Sequence, residues 1–208
     1  WTHNNASCPG LGVDASAVPC DITNLVVGQG QALVAGGTQR GTPLLVNASG
    51  NITIYGMINA TGYYTTNMDG LGVQFTAANV LVNASGALNA TGKGFAAGLG
   101  TSSRKYGATY GSPFFPFDLG SGGSNSAGGG AIALISNGTV VVNGSVTADG
   151  IDTGATSSSS GSGGSIYISA NAINGTGTIT ANGGINGGAG GIGGEGGRIA
   201  LYYNTTNT

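Results

Sequence analysis

One short phrase recurs four times along this chain, and the interval between its copies constrains the fold more than any other feature. Each copy reads apolar residue, polar residue, Ala, polar residue, Gly. The copies begin at Ile58, Leu88, Val146 and Ile179, which are 30, 58 and 33 residues apart. A repeat at a period near 30 indicates stacked supersecondary units, in which neighbours bury a core that no single unit could bury alone. We interpret the 58-residue interval as two periods with an insertion.

A second phrase keeps the same period. An apolar strand directly follows a run of glycines at three places, 34 and 33 residues apart, beginning at Ala131, Ser165 and Arg198. Short segments with period-two alternation, such as Ile52 with Ile54, are typical of half-buried strands. No segment has the 3.6-residue periodicity of a helix, and Glu195 is the only Glu.

The predicted fold is therefore all-β, a right-handed parallel β-helix with glycine-rich corners. A β-sandwich is the alternative. Glycine accounts for 44 of the 208 residues, and it permits sharp turns where a side chain would clash. The repeated alanines, among them Ala60, Ala148 and Ala181, are expected to form a column of small residues inside one corner.

Composition divides the chain into two parts. Residues 1–42 contain the only Trp, the only His and both Cys, and we predict an N-terminal cap with an irregular first coil. Residues 43–208 are predicted to form the glycine-rich solenoid, with an aromatic insertion at about 99–118. Within the solenoid, residues 153–164 fit either a flexible surface loop or an ordered segment.

The two cysteines, Cys8 and Cys20, lie close together in the sequence. In an oxidising compartment they would close a short loop and stabilise the first unit by roughly 2–3 kcal/mol. Two buried free thiols are the alternative. Two Cys and His3 do not supply four zinc ligands at a standard spacing.

Ten Asn-x-Ser/Thr motifs occur in the chain, none with Pro in the middle position. Such motifs are acceptors for N-linked glycans in secreted proteins, where the acceptor must be exposed. Asn and Thr are also residues that β-turns prefer, which is the alternative explanation. We predict an extracellular or cell-surface protein whose glycans are a covalent modification. The candidate acceptors are Asn5, Asn47, Asn51, Asn59, Asn83, Asn89, Asn137, Asn143, Asn174 and Asn204.

Charge is sparse, with five Lys and Arg against seven Asp and Glu. Five scattered cations cannot build the basic face that neutralises phosphates, so no nucleic-acid partner is expected. No apolar run is long enough to span a membrane. The N-terminal residues lack the pattern of a signal peptide, and we expect the numbering to begin at a mature or excised terminus.

Aromatic residues are concentrated in the insertion. Two readings stay open: an exposed patch that docks a partner, a sugar or the next subunit, or a loop that folds back over the solenoid. The residues concerned are Tyr106, Tyr110, Phe114, Phe115 and Phe117.

At residues 161–203 the sequence GSGGSIYISANAINGTGTITANGGINGGAGGIGGEGGRIALYY resembles the glycine-rich parallel β-helix repeats of large secreted surface proteins. Such repeats occur in bacterial adhesin-like proteins and in extracellular proteins of protists and algae. The resemblance covers about residues 118–203, and 43–92 is a looser version of the unit. It implies an extracellular, elongated, non-catalytic protein, often one segment of a longer chain.

Catalytic and metal-binding patterns are weak. Polysaccharide lyases and hydrolases on β-helices need clustered carboxylates, whereas Asp149 and Asp152 look like corner residues and Asp118 stands alone. The glycine runs lack the repeated Asp of calcium-binding β-rolls. We therefore expect no enzyme activity, no metal and no cofactor.

The sequence favours an extracellular structural glycoprotein that assembles with itself, head to tail, into a filament or surface layer. An open solenoid end pairs readily with another chain, and the C-terminal strand supplies the predicted contact. The alternative is an adhesin or carbohydrate-binding stalk, with surface carbohydrate as partner. Ice binding through Thr176, Thr178 and Thr180 is a distant third. The contact residues predicted at the C-terminal strand are Ile199, Leu201, Tyr202 and Tyr203.

Overall fold

Short strands account for all the regular secondary structure of the described residues. The computed structural model describes residues 2–3, 20–36, 44–62, 72–100 and 111–204, and this part of the chain contains no helix. Its strands are β1 (Thr2–His3), β2 (Cys20–Ile22), β3 (Leu25–Val27), β4 (Ala32–Gly36), β5 (Leu44–Ala48), β6 (Asn51–Ile54), β7 (Met57–Thr61), β8 (Val73–Ala77), β9 (Asn79–Val82), β10 (Ala87–Asn89), β11 (Ala131–Ser136), β12 (Thr139–Val142), β13 (Ser145–Thr147), β14 (Ser165–Ala170), β15 (Ala172–Asn174), β16 (Thr178–Thr180) and β17 (Arg198–Tyr203).

The strands form three sheets that the chain visits in a fixed order. Sheet C contains β2-β5-β8-β11-β14-β17, sheet A contains β1-β3-β6-β9-β12-β15, and sheet B contains β4-β7-β10-β13-β16. One coil passes through C, then A, then B, so β2–β4 form coil 1, β14–β16 form coil 5, and β17 begins coil 6. Among the described strands all pairings between coils are parallel, and only β1 pairs antiparallel, with β3. The fold is a parallel β-helix and not a β-sandwich.

Alternating apolar residues build the core because every second side chain of a strand points to the same face. Each sheet contributes several columns of inward side chains, with one residue per coil in each column, and nearly all of these residues are buried. In sheet C one such column runs Val46, Phe75, Leu134, Ile168, Leu201.

The repeated phrases mark equivalent positions, as predicted. The first phrase is the strand of sheet B: Leu88 pairs with Ile58 on one side and Val146 on the other, and Val146 pairs with Ile179. The second phrase is the strand of sheet C. The predicted column of small residues is confirmed and extends over five coils, as Ala35, Ala60, Ala90, Ala148 and Ala181, all buried.

The 58-residue interval is one coil, which corrects our interpretation of two periods. Ala87 pairs directly with Ser145, so no strand of sheet B lies between β10 and β13. The extra length lies between the B strand of coil 3 and the C strand of coil 4, in an excursion of which the structure describes residues 90–100 and 111–130.

The next two coils make shorter excursions at the same place. We call segments 120–130, 149–164 and 182–197 the glycine-rich layers. The five successive backbone N–H groups of residues 160–164 donate to three neighbouring segments, whereas a strand within a sheet bonds to two. The acceptors are the carbonyl oxygens of Ile192, Ile151, Ser121, Glu195 and Ala148, at 2.7 to 3.2 Å.

Candidate interaction surface at the last coil

Strand β17 leaves its inward side chains exposed. Ile199 and Leu201 occupy core positions, since they pair with Ile166 and Ile168 of the preceding coil. The latter two are fully buried, whereas Ile199 and Leu201 are 42% and 43% exposed. The core is therefore open at this end of the described structure, where apolar side chains meet solvent.

Exposed apolar residues extend into the last glycine-rich layer. Ile185 and Ile192 are 71% and 70% exposed. Ser159 forms an isolated parallel bridge with Ile192 and is itself buried. The layer of coil 4 is thus covered by the layer of coil 5, which no described residue covers on its other side.

An aromatic cluster occupies the outer face of sheet C beside this end. The ring of Phe115 stacks on Tyr202, with centroids 6.0 Å apart and planes 9° from parallel. The ring centroids of Phe117 and Tyr167 are 5.3 Å apart, and those of Tyr167 and Tyr202 are 5.7 Å apart. The structure therefore unites two features that the sequence analysis treated separately, the aromatic insertion and the C-terminal strand.

Local hydrogen bonds form a turn in the insertion, and one further bond joins its end to the sheet. The Oγ of Ser112 accepts the backbone N–H of Phe114 and of Phe115, at 3.2 and 3.1 Å, and such a bond favours a turn. The Ser165 hydroxyl donates to the backbone oxygen of Asp118 at 2.6 Å. Together these bonds fix the two ends of the aromatic run.

The described aromatic residues of the insertion fall into two groups. Phe117 packs with the buried Ala133, Tyr167 and Ala200, so it covers part of the sheet. Phe114 and Phe115 are 66% and 60% exposed and form an accessible aromatic surface. Such surfaces are unusual unless they contact a partner.

Asparagine and aspartate side chains connect successive coils, and the sequence analysis did not anticipate these polar ladders. The Nδ2 of Asn89 donates to Oδ1 of Asn59 at 3.2 Å, and the Thr147 hydroxyl donates to Oδ1 of Asn89 at 3.1 Å. The Nδ2 of Asn47 donates to Oδ1 of Asp21 at 3.0 Å. Identical or similar residues at a period near 30 were the available signal.

The two corner carboxylates also serve this stacking. Asp149 accepts the Thr180 hydroxyl at 2.9 Å and the backbone N–H of Asn182 at 2.6 Å. Asp152 accepts the backbone N–H of Ile185 at 2.6 Å. Among the described residues, no three His, Cys, Asp or Glu side chains are grouped so that they could hold a metal ion.

The remaining predicted residues have separate places. The exposed sequon residues Asn51, Asn137, Asn143, Asn174 and Asn204 lie at strand ends and corners, and Asn83 is half-exposed at a corner.

Of the threonines considered for ice binding, Thr178 and Thr180 lie in β16. They are in register with Ser145 and Thr147 of β13, so the row of hydroxyl groups extends over two strands. Cys20 is in β2, whereas Asn5, Cys8, Tyr106 and Tyr110 lie outside the described residues.

No helix in the described part of the chain is long and apolar enough to cross a membrane. The chain matches no protein-family model, no curated protein and no solved structure.

Proposed function

We propose that this chain is an extracellular structural glycoprotein that assembles head to tail with further copies of itself into a filament or surface layer. In this proposal it is located outside the cell or at its surface, is not an enzyme, and needs no cofactor. The observation that carries the proposal is the exposed core position at coil 6: within the described residues, which end at 204, no strand pairs with the outer edge of β17, and Ile199 and Leu201 hold core positions in contact with solvent.

Apolar side chains at an open strand edge favour pairing with another chain. Unpaired backbone N–H and C=O groups of an edge strand accept a further strand, and burying apolar area contributes about 25 cal/mol per Å². Strand β17 offers both at once. A second copy stacked on this end would extend the sheets and cover the apolar surface.

The other end of the solenoid is compatible with such a contact. In coil 1 the inward residues Leu25, Val27 and Leu33 are buried. Sheet A extends one strand beyond coil 1 through β1, whereas at the opposite end sheet C extends one strand beyond coil 5 through β17. The projecting strands belong to different sheets, so β17 of one copy and β1 of the next could share one level of the stack. The contact would be heterologous, the kind that generates filaments when it does not close.

Electron microscopy of the secreted protein, together with a sizing column, tests the proposal. We expect uniform fibres whose length increases with protein concentration. A monomer that persists at high concentration would refute head-to-tail assembly.

Single charges at the proposed contact make the test specific. Leu201→Lys places an ammonium group at the centre of the contact and should yield folded monomers, because the position is already 43% exposed in a single copy. Met57→Lys is the matched control, since Met57 is similarly exposed at 39% but lies on the outer face of sheet B. Fibres formed by the Leu201 variant, or lost in both variants, would contradict the assignment of the contact.

An adhesin or carbohydrate-binding stalk is the second candidate, and one observation favours it. Phe114 and Phe115 are exposed, and Phe115 stacks on Tyr202. Aromatic faces pack well against apolar faces of ligands, including the C–H faces of sugar rings. Sedimentation with insoluble polysaccharides would test this function, with Phe115→Ala expected to release the protein and Tyr55→Ala as the exposed aromatic control.

A further inference from the structure

The described sequons fall into two structural classes, and from this we infer which of them carry glycans. We propose that N-linked glycans occupy the corner sequons beside sheet A, above all Asn137, Asn143 and Asn174, while Asn89 stays unmodified as a structural residue of sheet B. The inference rests on the proposed function of an extracellular glycoprotein and adds the location of its modification.

The chemistry of the linkage identifies the atom that matters. Nδ2 of Asn attacks the anomeric carbon of a sugar whose leaving group is a lipid-linked diphosphate. The C–N bond forms, the C–O bond to the diphosphate breaks, and one amide proton is lost. Substitution therefore removes one of the two N–H donors and attaches a large polar group at Nδ2.

At Asn89 this atom is already used inside the fold. Its Nδ2 donates to Asn59 of the preceding coil, and its Oδ1 accepts the Thr91 backbone N–H at 3.0 Å and the Thr147 hydroxyl. The hydroxyl of Thr91, the third sequon residue, donates to Thr147 at 3.1 Å. The side chain is half-buried, so a sugar would have to open a ladder that joins three coils.

Corner sequons have the opposite arrangement. Asn137, Asn143 and Asn174 are exposed and lie where the chain turns into or out of sheet A. The Oδ1 of Asn143 accepts the backbone N–H of Thr176 at 3.3 Å, which fixes the side chain while leaving Nδ2 directed elsewhere. Within the described residues, no hydrogen bond from Nδ2 of these three side chains is present. A glycan can be added there without loss of contact between coils.

The other sequons extend the same division. Asn51 and Asn83 lie at corners of sheet A and belong with the acceptors. Asn47 and Asn204 donate from Nδ2 to Asp21 and Asn171 of adjacent coils, at 3.0 Å each, and belong with Asn89. Asn59 is half-buried in the same ladder, where its Oδ1 accepts from Asn89, and it belongs with Asn89. The expected result is two rows of glycans along the edges of sheet A and a face of sheet B without glycans.

Site-specific glycopeptide mass spectrometry of the natively secreted protein tests this distribution. We expect glycans on the peptides that contain Asn137, Asn143 and Asn174, and an unmodified peptide for Asn89. A glycan on Asn89 would overturn the inference. Absence of glycans from every peptide would also overturn it, and if fibres still form, the assembly proposed above would stand on its own.

Two variants of the third sequon residue give a matched comparison that leaves the asparagines in place. Ser145→Ala removes the Asn143 acceptor motif and should lower the mass of the intact protein by one glycan. Thr91→Val removes the Asn89 motif with little change in shape and should leave the glycan mass unchanged. Loss of a glycan from the Thr91 variant would refute the structural role of Asn89, and circular dichroism establishes that both variants fold.

Discussion

The walls of the solenoid and its glycine-rich layers stack in the same direction but are stabilised in opposite ways. In the walls, large side chains such as Phe75 and Leu134 fill the space between three sheets. In the glycine-rich layers, backbone packs directly on backbone. A Cβ added at Gly164 would overlap the carbonyl oxygen of Gly130 in the layer of coil 3. One region depends on the volume its side chains provide, and the other depends on the absence of side chains.

This difference follows from where each region can bury hydrogen bonds and apolar area. A strand of the wall bonds to two neighbours and points every second side chain into the core. Segment 160–164 bonds to three neighbouring segments, and a Cβ added at Gly161, Gly163 or Gly164 would overlap their backbone, so large side chains do not fit there. Small serines fit instead, and Ser160 and Ser162 are fully buried. The walls should therefore be destabilised by substitutions that remove side-chain volume, and the glycine-rich layers by substitutions that add it.

The largest effect is expected when a wall side chain is removed. Phe75 is fully buried in the central column of sheet C. Phe75→Ala removes its apolar contacts and leaves a cavity, which typically costs about 3–5 kcal/mol in the free energy of unfolding. Urea denaturation of this variant and of Phe114→Ala gives the comparison, because Phe114 is 66% exposed. Similar unfolding free energies for the two variants would show that the three-sheet core does not carry the stability.

A smaller loss is expected when a single methyl group is added to a glycine-rich layer. Gly164→Ala forces backbone of two layers apart, and such overpacking typically costs about 1–3 kcal/mol. Gly154→Ala is the matched control in the same coil, since its added Cβ would meet no atom within 4 Å. The control should be neutral within about 0.5 kcal/mol. Equal melting temperatures for the two variants would contradict direct packing of backbone on backbone.

The same contrast explains how far the sequence alone predicts the structure. Wall strands are visible as repeats, because equivalent inward positions need similar apolar residues, and the register of Ile58, Leu88, Val146 and Ile179 was predictable on this basis. Strand β8 lies outside both repeated phrases, although Val73, Phe75 and Ala77 alternate. Strand β15 also lies outside them and has no alternating pattern, because Ile173 is its only large apolar residue.

Glycine-rich layers are harder to predict because they have no side-chain pattern. Residues 153–164 read equally as a flexible loop or an ordered segment, and the structure orders them, with Ser158 and Ser159 buried. Their neighbours are segments of the layers before and after them, which lie far away in the sequence. For the same reason the contact between Phe115 and Tyr202 could not be read from the sequence, since it depends on how the excursion of coil 3 returns across sheet C.

The smallest of the three effects is expected at the junction between the two regions. Asp149 lies where the chain leaves sheet B for the glycine-rich layer of coil 4, and it accepts two hydrogen bonds from coil 5, whereas Asp152 accepts one. Asp149→Ala should lower the free energy of unfolding by about 1–2 kcal/mol, and Asp152→Ala by about half as much, because hydrogen bonds to charged groups contribute more than neutral ones but are weakened by exposure. Hydrogen exchange at the backbone amides of Asn182 and Ile185 gives a local measurement for each variant. Faster exchange at Asn182 in the Asp149 variant alone would assign the stacking of this junction to the carboxylate. Unchanged exchange at both amides would instead show that the layers hold the junction without it.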